Sequence, residues 1–597
     1  MFGNIIKSLR FKAIRFFNSS QFNKLIKAID LDSFDESKEI LKNLGNKAIA
    51  ILTETDKNGK TPLIHAINSY NEQLVEYILN ILKTEAVSEI VRECNDGKTS
   101  LVYAAINGNR KIIKLLLEKL GERAVDKLTE PDSNGKTPLI HACKNEHIDT
   151  VKFILSRLKE HATNELIRAD KKGRTPLMYA CYSGDMKFIE FILKKLGKYA
   201  TNELIRADKK GKTPLMYSYI RLPEEVEDSF EDRPDNDFYI FFGSRGDINI
   251  FKFLLQKLGN NAENELVRTN AYGENILMYA CGCCDIETVK FMLQKLGKQV
   301  KNELIKTNHF GQNIIMHVLA GCAHTFGDYY RFARSKDLMS FLPPFQEFSS
   351  NTIREYKEIL DVILHELGDK SMESLTKADK FGRVPLVYVT GKTKELFEWI
   401  FQKLGDNSED ELIKRNNCGK TILMYIVESR DINLVKYVIQ RLGNKALSEL
   451  MATNNSGTTP LMYAVGSDTD SVIEITKYIL DKLGNESISE LVRKDDDGKN
   501  VLTYAINSYI DGGQPAIENI YLKKMRFLLR IYSTIKIDII NSIDRYGETV
   551  LDYATKRLER EENTKLVNNK FSQNIIDIIR KLIQMLEANG AKKGSEL

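Results

Sequence analysis

Two groups of residues in this chain have the types and spacing that could support chemistry. The first is the tripeptide Gly-Lys-Thr, which also ends the phosphate-binding loop of many nucleotide-binding proteins. Four of its copies begin at Gly59, Gly97, Gly135 and Gly211. A phosphate-binding loop needs another glycine five residues earlier, so that backbone amides can surround the phosphate. The residues found there are Glu54, Arg92, Glu130 and Arg206. The sequence therefore predicts no nucleotide cofactor.

The second group is Cys281-Gly-Cys-Cys284, with Cys322 and His324 further along the chain. Thiolates and imidazoles are zinc ligands, but a structural zinc site needs four of them in compatible geometry. The alternative is that Cys281 fills a small core position, because cysteine behaves as a small apolar residue when buried. Without a Ser/His/Asp or Cys/His catalytic pattern elsewhere, the sequence predicts a protein that is not an enzyme and holds no metal or cofactor.

The elements that would position these residues recur along the whole chain. A glycine is followed four residues later by an apolar residue that opens a helix-like run. The glycines are 59, 97, 135, 173, 211, 273, 311, 382, 419, 457, 498 and 547, and the first five are 38 residues apart. A fixed period in this range predicts stacked units, each too small to bury its own apolar face.

The unit from 173 to 210 shows the pattern within one repeat. Pro176 suits the first position of a helix, with Thr175 as its cap. Gly184 ends this short helix, and a second apolar stripe follows it up to Leu196-Gly197. A third short apolar segment and the turn 208–211 then lead to the next unit.

The chain resembles the ankyrin repeat family, whose units have a Gly-x-Thr-Pro-Leu turn, a short helix, a glycine break and a second helix. Two departures are the five extra residues per unit, which predict an additional short helix, and the absence of the family's usual histidine after Thr-Pro-Leu. The hydrogen bond associated with that histidine must be replaced or missing. The resemblance implies an all-α ankyrin-like solenoid of about thirteen units with two insertions. The predicted segments are 1–20, a basic amphipathic helix; 21–219, repeats; 220–243, an acidic insertion; 244–320, repeats; 321–355, an aromatic insertion; 356–590, repeats with a C-terminal cap; and 591–597, a tail.

The two insertions differ in chemistry. The first, 220–243, is rich in acidic residues and is expected to be a solvated loop, with docking of a basic partner as the alternative. The second, 321–355, carries aromatic residues that either cover the solenoid or form a partner surface. The residues predicted to bind a partner there are Phe326, Tyr329, Tyr330 and Phe332.

Residues 1–20 place apolar side chains at helical spacing, with basic residues between them and no acidic ones. We expect this segment to cap the first repeat. The alternatives are a helix that lies in a membrane interface or a targeting segment.

A tyrosine or histidine stands two residues after the helix-opening apolar residue in each of the twelve glycine-marked units. Stacking would align these side chains as a ladder that packs between adjacent repeats, with each polar end reaching water or backbone. Their edges could also contribute to a binding groove. On that basis Tyr179, Tyr217 and Tyr279 are further candidate binding residues.

Composition limits the possible partners. The net charge is only +5 for 597 residues, so no nucleic-acid partner is expected. Cysteines recur at one repeat position rather than as a disulfide framework, which favours a reducing, cytoplasmic compartment. No apolar run is long enough to span a membrane.

The predicted function is a monomeric protein-interaction scaffold. The family resemblance implies that the partner protein binds the concave side, built from hairpin tips and first helices. Two alternatives stay open. One is an effector delivered to a host cell or attached peripherally to a membrane through residues 1–20. The other is an enzyme or small-molecule binder built around the aromatic insertion.

Overall fold

The computed structural model describes residues 20–219, 247–321, 350–390, 393–466, 471–507, 515–535, 539–563 and 570–597. Within these residues the regular elements are helices, accompanied by three isolated β-bridges at the repeat turns. The prediction of an all-α helical repeat solenoid is confirmed. Residues 1–19 and almost all of both insertions lie outside the described residues, although 350–355 belong to a helix that continues to Leu367.

Each repeat begins with a short first helix. The first helices are 20–30, Pro62–Asn68, Ser100–Ile106, Pro138–Lys144, Pro176–Ser183, Pro214–Tyr217, Ile276–Gly282, Ile314–Gly321, Pro385–Val389 (a 3-10 helix), Ile422–Ser429, Pro460–Val465, Val501–Asn507 and Val550–Asn563. The second helices are Phe34–Leu44, Glu72–Leu82, Arg110–Leu120, Ile148–Leu158, Met186–Leu196, Ile248–Leu258, Ile286–Leu296, Ser350–Leu367, Lys394–Leu404, Ile432–Leu442, Ser471–Leu483, Pro515–Ile535 and Lys570–Ala588. These pairs make thirteen units among the described residues, as predicted.

A third helix follows a single 3-10 turn in most repeats. The third helices are Ala48–Leu52, Ala86–Val91, Ala124–Thr129, Ala162–Ile167, Ala200–Ile205, Ala262–Val267, Val300–Leu304, Ser371–Thr376, Ser408–Leu412, Ala446–Leu450 and Ser487–Val492. The five residues by which these units exceed the family's usual length are thus accommodated by an additional short helix.

The local sequence accounts for these helix ends. Thr175 accepts a hydrogen bond from the Met178 N–H at 3.4 Å, and Pro176 occupies the first helical position. Asp185 caps the second helix by accepting from the Phe188 N–H at 3.1 Å. Gly197 ends that helix with φ of +53°, a conformation that glycine adopts without steric cost.

Apolar residues at equivalent positions form the core between repeats. Cys143, Cys181 and Cys281 are each fully buried in the first helix of their repeats. Burial raises the pKa of these three thiols well above the usual cysteine range. They are small core residues, as expected.

The described residues form two compact units, of which the N-terminal unit ends at Lys295 and the C-terminal unit begins at Leu296. Within the N-terminal unit, stacking continues across the first insertion. Arg206 bonds the Ile167 carbonyl 39 residues earlier, whereas the equivalent Arg268 bonds Ile205, 63 residues earlier. The difference equals the 24 residues that the interrupted glycine period assigns to the insertion. The insertion therefore leaves the contact between neighbouring repeats unchanged.

Candidate interaction site

The turn that begins each repeat is organised by one acidic or amide side chain. In the turn at 170–174, Oδ1 of Asp170 accepts from the N–H groups of Lys172 and Arg174, both at 2.9 Å. The Gly173 N–H donates to the Asp170 carbonyl at 2.9 Å. These bonds satisfy the backbone of the turn and fix its shape.

The other carboxylate oxygen of Asp170 accepts from the tyrosine ladder. The Tyr179 hydroxyl donates to Oδ2 of Asp170 at 2.8 Å, nine residues earlier in the chain. The same relationship joins Tyr217 to Asp208, Tyr388 to Asp379, Tyr504 to Asp495 and Tyr553 to Asp544. Where asparagine replaces aspartate, its Nδ2 donates to the tyrosine oxygen, as in Asn270 with Tyr279, Asn416 with Tyr425 and Asn454 with Tyr463.

The expectation that the ladder's polar ends reach water or backbone is wrong for these tyrosines. Their partner is an Asp or Asn side chain of the turn, a residue type that in the sequence indicates only a turn. The detectable signal is a constant spacing: an Asp or Asn stands three residues before the repeat glycine and nine before the tyrosine. In the ankyrin family a histidine forms the hydrogen bond that stabilises this turn. In this chain the tyrosine and its Asp or Asn partner form a hydrogen bond in its place.

Two of the three histidine members of the ladder, His141 and His317, differ in their surroundings. His141 Nε2 lies 2.8 Å from Oδ2 of Asp132, and both side chains are buried. Burial raises the pKa of Asp132, but hydrogen bonds from His141 and from the Lys136 and Asn134 amides outweigh it and lower that pKa. His317 Nε2 has no hydrogen-bond partner, and burial lowers the His317 pKa to about 4. His317 is therefore neutral at physiological pH.

Neighbouring turns are joined by backbone hydrogen bonds. In the N-terminal unit, the Lys171 N–H donates to the Asn134 carbonyl and the Lys209 N–H to the Lys172 carbonyl, both at 2.9 Å. Equivalent bonds in the C-terminal unit join Lys380 to Phe310, Asn417 to Phe381, Asn455 to Cys418, Asp496 to Ser456 and Arg545 to Asp497. The hairpin tips of each unit are thereby held in a fixed register.

The repeat glycine is required by this close approach. Gly173 has φ of +84°, and a Cβ there would lie 2.8 Å from the Lys209 nitrogen in the next turn. Gly97 and Gly211 meet the next turn in the same way, at 2.6 Å from Ser133 N and 2.9 Å from Ala271 N. The glycine therefore serves both the left-handed turn and the contact with the following repeat.

The third helices add an ion pair between a buried glutamate and a partly exposed arginine at the other end of the repeat. Glu165 is almost fully buried and lies 2.9 Å from the Arg168 guanidinium, which also donates to the Thr129 carbonyl of the preceding repeat at 2.7 Å. Burial raises the pKa of Glu165, with partial compensation by Arg168. The same pair recurs as Glu89–Arg92, Glu203–Arg206, Glu265–Arg268 and Glu490–Arg493. No local sequence pattern indicates this pair.

The predicted binding residues fall into two sets. Tyr179, Tyr217 and Tyr279 are only 7%, 5% and 4% exposed. Their side chains therefore present little surface to a partner, and their hydrogen bonds hold the turns in position. Phe326, Tyr329, Tyr330 and Phe332 lie outside the described residues, as do Cys322 and His324. Across the described ranges no three His, Cys, Asp or Glu side chains are grouped as metal ligands would be.

Each turn carries two outward residues that differ between repeats. In the N-terminal unit they are Lys57-Asn58, Asn95-Asp96, Ser133-Asn134, Lys171-Lys172, Lys209-Lys210 and Ala271-Tyr272. In the C-terminal unit they are His309-Phe310, Lys380-Phe381, Asn417-Cys418, Asn455-Ser456, Asp496-Asp497 and Arg545-Tyr546. The backbone of the turns is thus constant while its side-chain chemistry varies.

A repeated unit of up to three helices with a hydrogen-bonded turn defines a helical repeat protein. The family model described as "Ankyrin repeats (3 copies)" matches residues 25–127, 92–164, 120–202, 159–226 and 386–488, which together cover more than half of the chain. The chain belongs to the ankyrin repeat family. No curated protein matched the sequence.

Family membership bears on function only in general terms. Ankyrin repeats generally mediate protein–protein interactions, and proteins built from them are typically non-enzymatic modules. None of the described helices is both long and apolar enough to cross a membrane.

Proposed function

We propose that this chain is a non-enzymatic scaffold that binds a partner protein along the hairpin tips of its repeats. The observation that carries the proposal is the constant turn with variable outward residues. Because hydrogen bonds fix each tip before binding, little ordering remains to oppose association. Variation at the two outward positions then supplies specificity.

The tips of the two units offer different chemistry. In the N-terminal unit, Lys171 and Lys209 are exposed at the same position of adjacent repeats. In the C-terminal unit, the rings of Phe310 and Phe381 stack on adjacent tips with centroids 6.4 Å apart. Aromatic side chains commonly supply most of the binding energy of an interface. Phe310 and Phe381 are therefore the proposed anchors.

The aromatic insertion extends this proposal. In the sequence it separates the first and second helices of the repeat that begins with the Phe310 turn, so Phe326, Tyr329, Tyr330 and Phe332 are proposed as a second group of anchors for the same partner. The buried Tyr179, Tyr217 and Tyr279 support binding by holding the tips. The proposed compartment is cytoplasmic and the proposed state is a monomer.

The test is capture of a partner by the whole chain, followed by measurement of its dissociation constant. The Phe310→Ala/Phe381→Ala double variant is compared with Tyr70→Ala/Tyr199→Ala, which removes two exposed aromatic rings that lie away from the tips. We expect the tip variant to weaken binding by at least about 2 kcal/mol and the control to bind as the unmodified chain does. Equal loss in both variants, or no loss in the tip variant, would refute the proposal.

Thermal unfolding followed by circular dichroism shows whether each variant remains folded. The chain without residues 321–355, assayed in parallel, separates the two groups of anchors. If the deletion weakens binding and the tip variant does not, the binding surface lies on the insertion and not on the tips.

A further inference from the structure

A row of cations follows the second helices of the N-terminal unit. It occupies the same place in the last turn of five successive second helices. The members are Lys119, Arg157, Lys195, Lys257 and Lys295. All five side chains are exposed. We call these five residues the cation row.

Four members of the cation row stand over an aromatic ring four residues earlier in the same helix. The distances to the ring centroids are 5.0 Å for Arg157 over Phe153, 5.9 Å for Lys195 over Phe191, 5.3 Å for Lys257 over Phe253 and 5.7 Å for Lys295 over Phe291. Residues four apart share a helix face, and a ring attracts a cation within about 6 Å. The rings therefore restrain the cations without neutralising them.

The cation row has no anionic partner of its own. No carboxylate lies within 4.0 Å of any of the five nitrogen groups among the residues that the structure describes. The five second helices from Arg110–Leu120 to Ile286–Leu296 carry 13 Lys or Arg residues but only 4 Asp or Glu residues. This face is therefore strongly basic although the whole chain has a net charge of only +5.

The second helices of the C-terminal unit keep rings but carry a smaller charge excess, with 15 Lys or Arg residues and 11 Asp or Glu residues over six helices. Lys403 stands 4.8 Å from the Trp399 ring, yet its ammonium group also bonds Asp361 at 2.6 Å. Helix Lys394–Leu404 has two lysines and two glutamates. The larger excess of basic residues, and not the ring contact, therefore distinguishes the second helices of the N-terminal unit.

We infer that the cation row is a docking surface for an acidic protein segment, one that presents Asp or Glu side chains to successive repeats. The basic face provides charge complementarity for such a segment. Because the rings already restrain the long basic side chains, less conformational entropy is lost when carboxylates bind. This surface is separate from the hairpin tips, so either proposal can fail while the other holds.

Two other anionic partners fit the face less well. Binding in a membrane interface requires apolar side chains that protrude, and no large exposed apolar side chain lies on these five helices among the described residues. Single-stranded nucleic acid binds by stacking bases on open rings, whereas these rings are covered by cations. The chain's small net charge also gives little long-range attraction for nucleic acid.

The test uses a fluorescein-labelled polyglutamate peptide and measures fluorescence anisotropy at low and high salt. The variant Arg157→Gln/Lys195→Gln/Lys257→Gln/Lys295→Gln removes four charges of the row. The matched control, Lys436→Gln/Arg441→Gln/Lys477→Gln/Lys482→Gln, removes one arginine and three lysines that also contact rings, but from the C-terminal unit. Circular dichroism confirms that both variants retain their helical content.

We expect the unmodified chain to bind polyglutamate in a salt-sensitive manner, because exposed charges are screened by salt. The row variant should bind at least about tenfold more weakly, as the loss of several charge contacts predicts, and the control within about twofold of the unmodified chain. Equal weakening of both variants would overturn the inference, as would absence of binding at low salt. Tighter binding to phosphatidylserine vesicles or to duplex DNA than to polyglutamate would also overturn it, in favour of a lipid or nucleic-acid surface.

Discussion

The Tyr179 hydroxyl donates a 2.8 Å hydrogen bond to Oδ2 of Asp170, so that the first helix of the repeat holds the turn that precedes it. The Asp170 side chain is buried, and Oδ2 also accepts from Arg174 Nε at 3.1 Å. Tyr425 makes the neutral equivalent of this contact with Asn416.

Removal of the hydroxyl in Tyr179→Phe is expected to lower the free energy of unfolding by about 1.5–3 kcal/mol, because the buried side chain of Asp170, which pairs with Arg174, loses a hydrogen-bond donor. Tyr425→Phe should cost less, about 1 kcal/mol, because both of its partners are neutral. Urea denaturation followed by circular dichroism measures both values. Tyr199→Phe is the control, since that side chain is partly exposed; an equal effect of all three substitutions would contradict this interpretation of the ladder.

Gly173→Ala and Gly197→Ala distinguish two ways in which replacing a glycine of positive φ lowers the free energy of unfolding, namely backbone strain and a clash with the next turn. Both glycines have positive φ, but a Cβ at Gly197 meets nothing within 4 Å, whereas one at Gly173 meets the backbone of the next turn. We expect about 1–2 kcal/mol of destabilisation at Gly197 from backbone strain alone. Gly173→Ala should cost at least about 1 kcal/mol more, because the contact between repeats must open. Equal midpoints of denaturation for the two variants would show that the contact between turns is not rigid.

The buried Glu165 predicts an unusual dependence of stability on pH. Its pKa in the folded protein is raised by burial, so the folded state binds a proton more readily than the unfolded chain does. The free energy of unfolding should therefore receive a contribution that increases as pH falls from neutral toward about 5.

The variant Glu165→Gln keeps the shape of the side chain and removes the titration. We expect it to be at least as stable as the unmodified chain at neutral pH and to show a smaller rise on mild acidification. Denaturation at several pH values provides the measurement. A variant that is less stable at neutral pH, with an unchanged dependence on pH, would show that the ion pair with Arg168 outweighs the cost of burial.

Asp132 has the opposite effect on the pH dependence of the free energy of unfolding, and at lower pH than Glu165. Its lowered pKa means that the unfolded chain takes up a proton first, so this contribution to stability is lost as pH falls below about 4. Asp132→Asn should reduce stability at neutral pH and reduce the acid-dependent loss. Acid titration of unfolding for both proteins measures the difference, and superimposable curves would exclude Asp132 as a contributor.

The aromatic insertion is tested by replacing Phe326, Tyr329, Tyr330 and Phe332 with alanine. If these residues are anchors, the helical signal should persist and partner affinity should fall by at least about 2 kcal/mol. Loss of thermal stability with unchanged affinity per folded molecule would instead identify the cluster as a cover for the repeats.

Deletion of residues 1–20 distinguishes a cap from a membrane anchor. A cap predicts a lower unfolding temperature and unchanged sedimentation with anionic vesicles. An anchor predicts that the intact chain binds such vesicles in a salt-sensitive way and that the deletion abolishes this binding. The latter result would overturn the cap hypothesis.

The sequence predicted the helix order because the apolar spacing and the helix-ending glycines are local signals. Thr175-Pro176 and Leu196-Gly197 mark helix ends without any knowledge of neighbours. The interrupted glycine period also predicted 24 extra residues in the first insertion, and the sequence separations of the Arg206 and Arg268 contacts differ by the same number.

The functional details depend on contacts between residues that no local pattern joins. Asp170 was interpreted only as a turn residue, because its bond to Tyr179 depends on the path of the chain between them. No prediction was made for Glu165, because only the stacked repeats show that it is buried. The cation row was missed because a lysine four residues after a phenylalanine is common on solvated helix faces.

The same backbone hydrogen bonds join most pairs of neighbouring tips, so the junction between these repeats has the same geometry from one repeat to the next. The Asn134 carbonyl receives the Lys171 amide as the Lys172 carbonyl receives the Lys209 amide, and Gly135 and Gly173 meet the next turn in the same geometry. A chain spliced from Gly135 directly to Arg174 would present the same junction to the following repeat. Whole repeats can thus be removed or duplicated without designing a new interface, and the register of outward residues can be shortened or extended one repeat at a time.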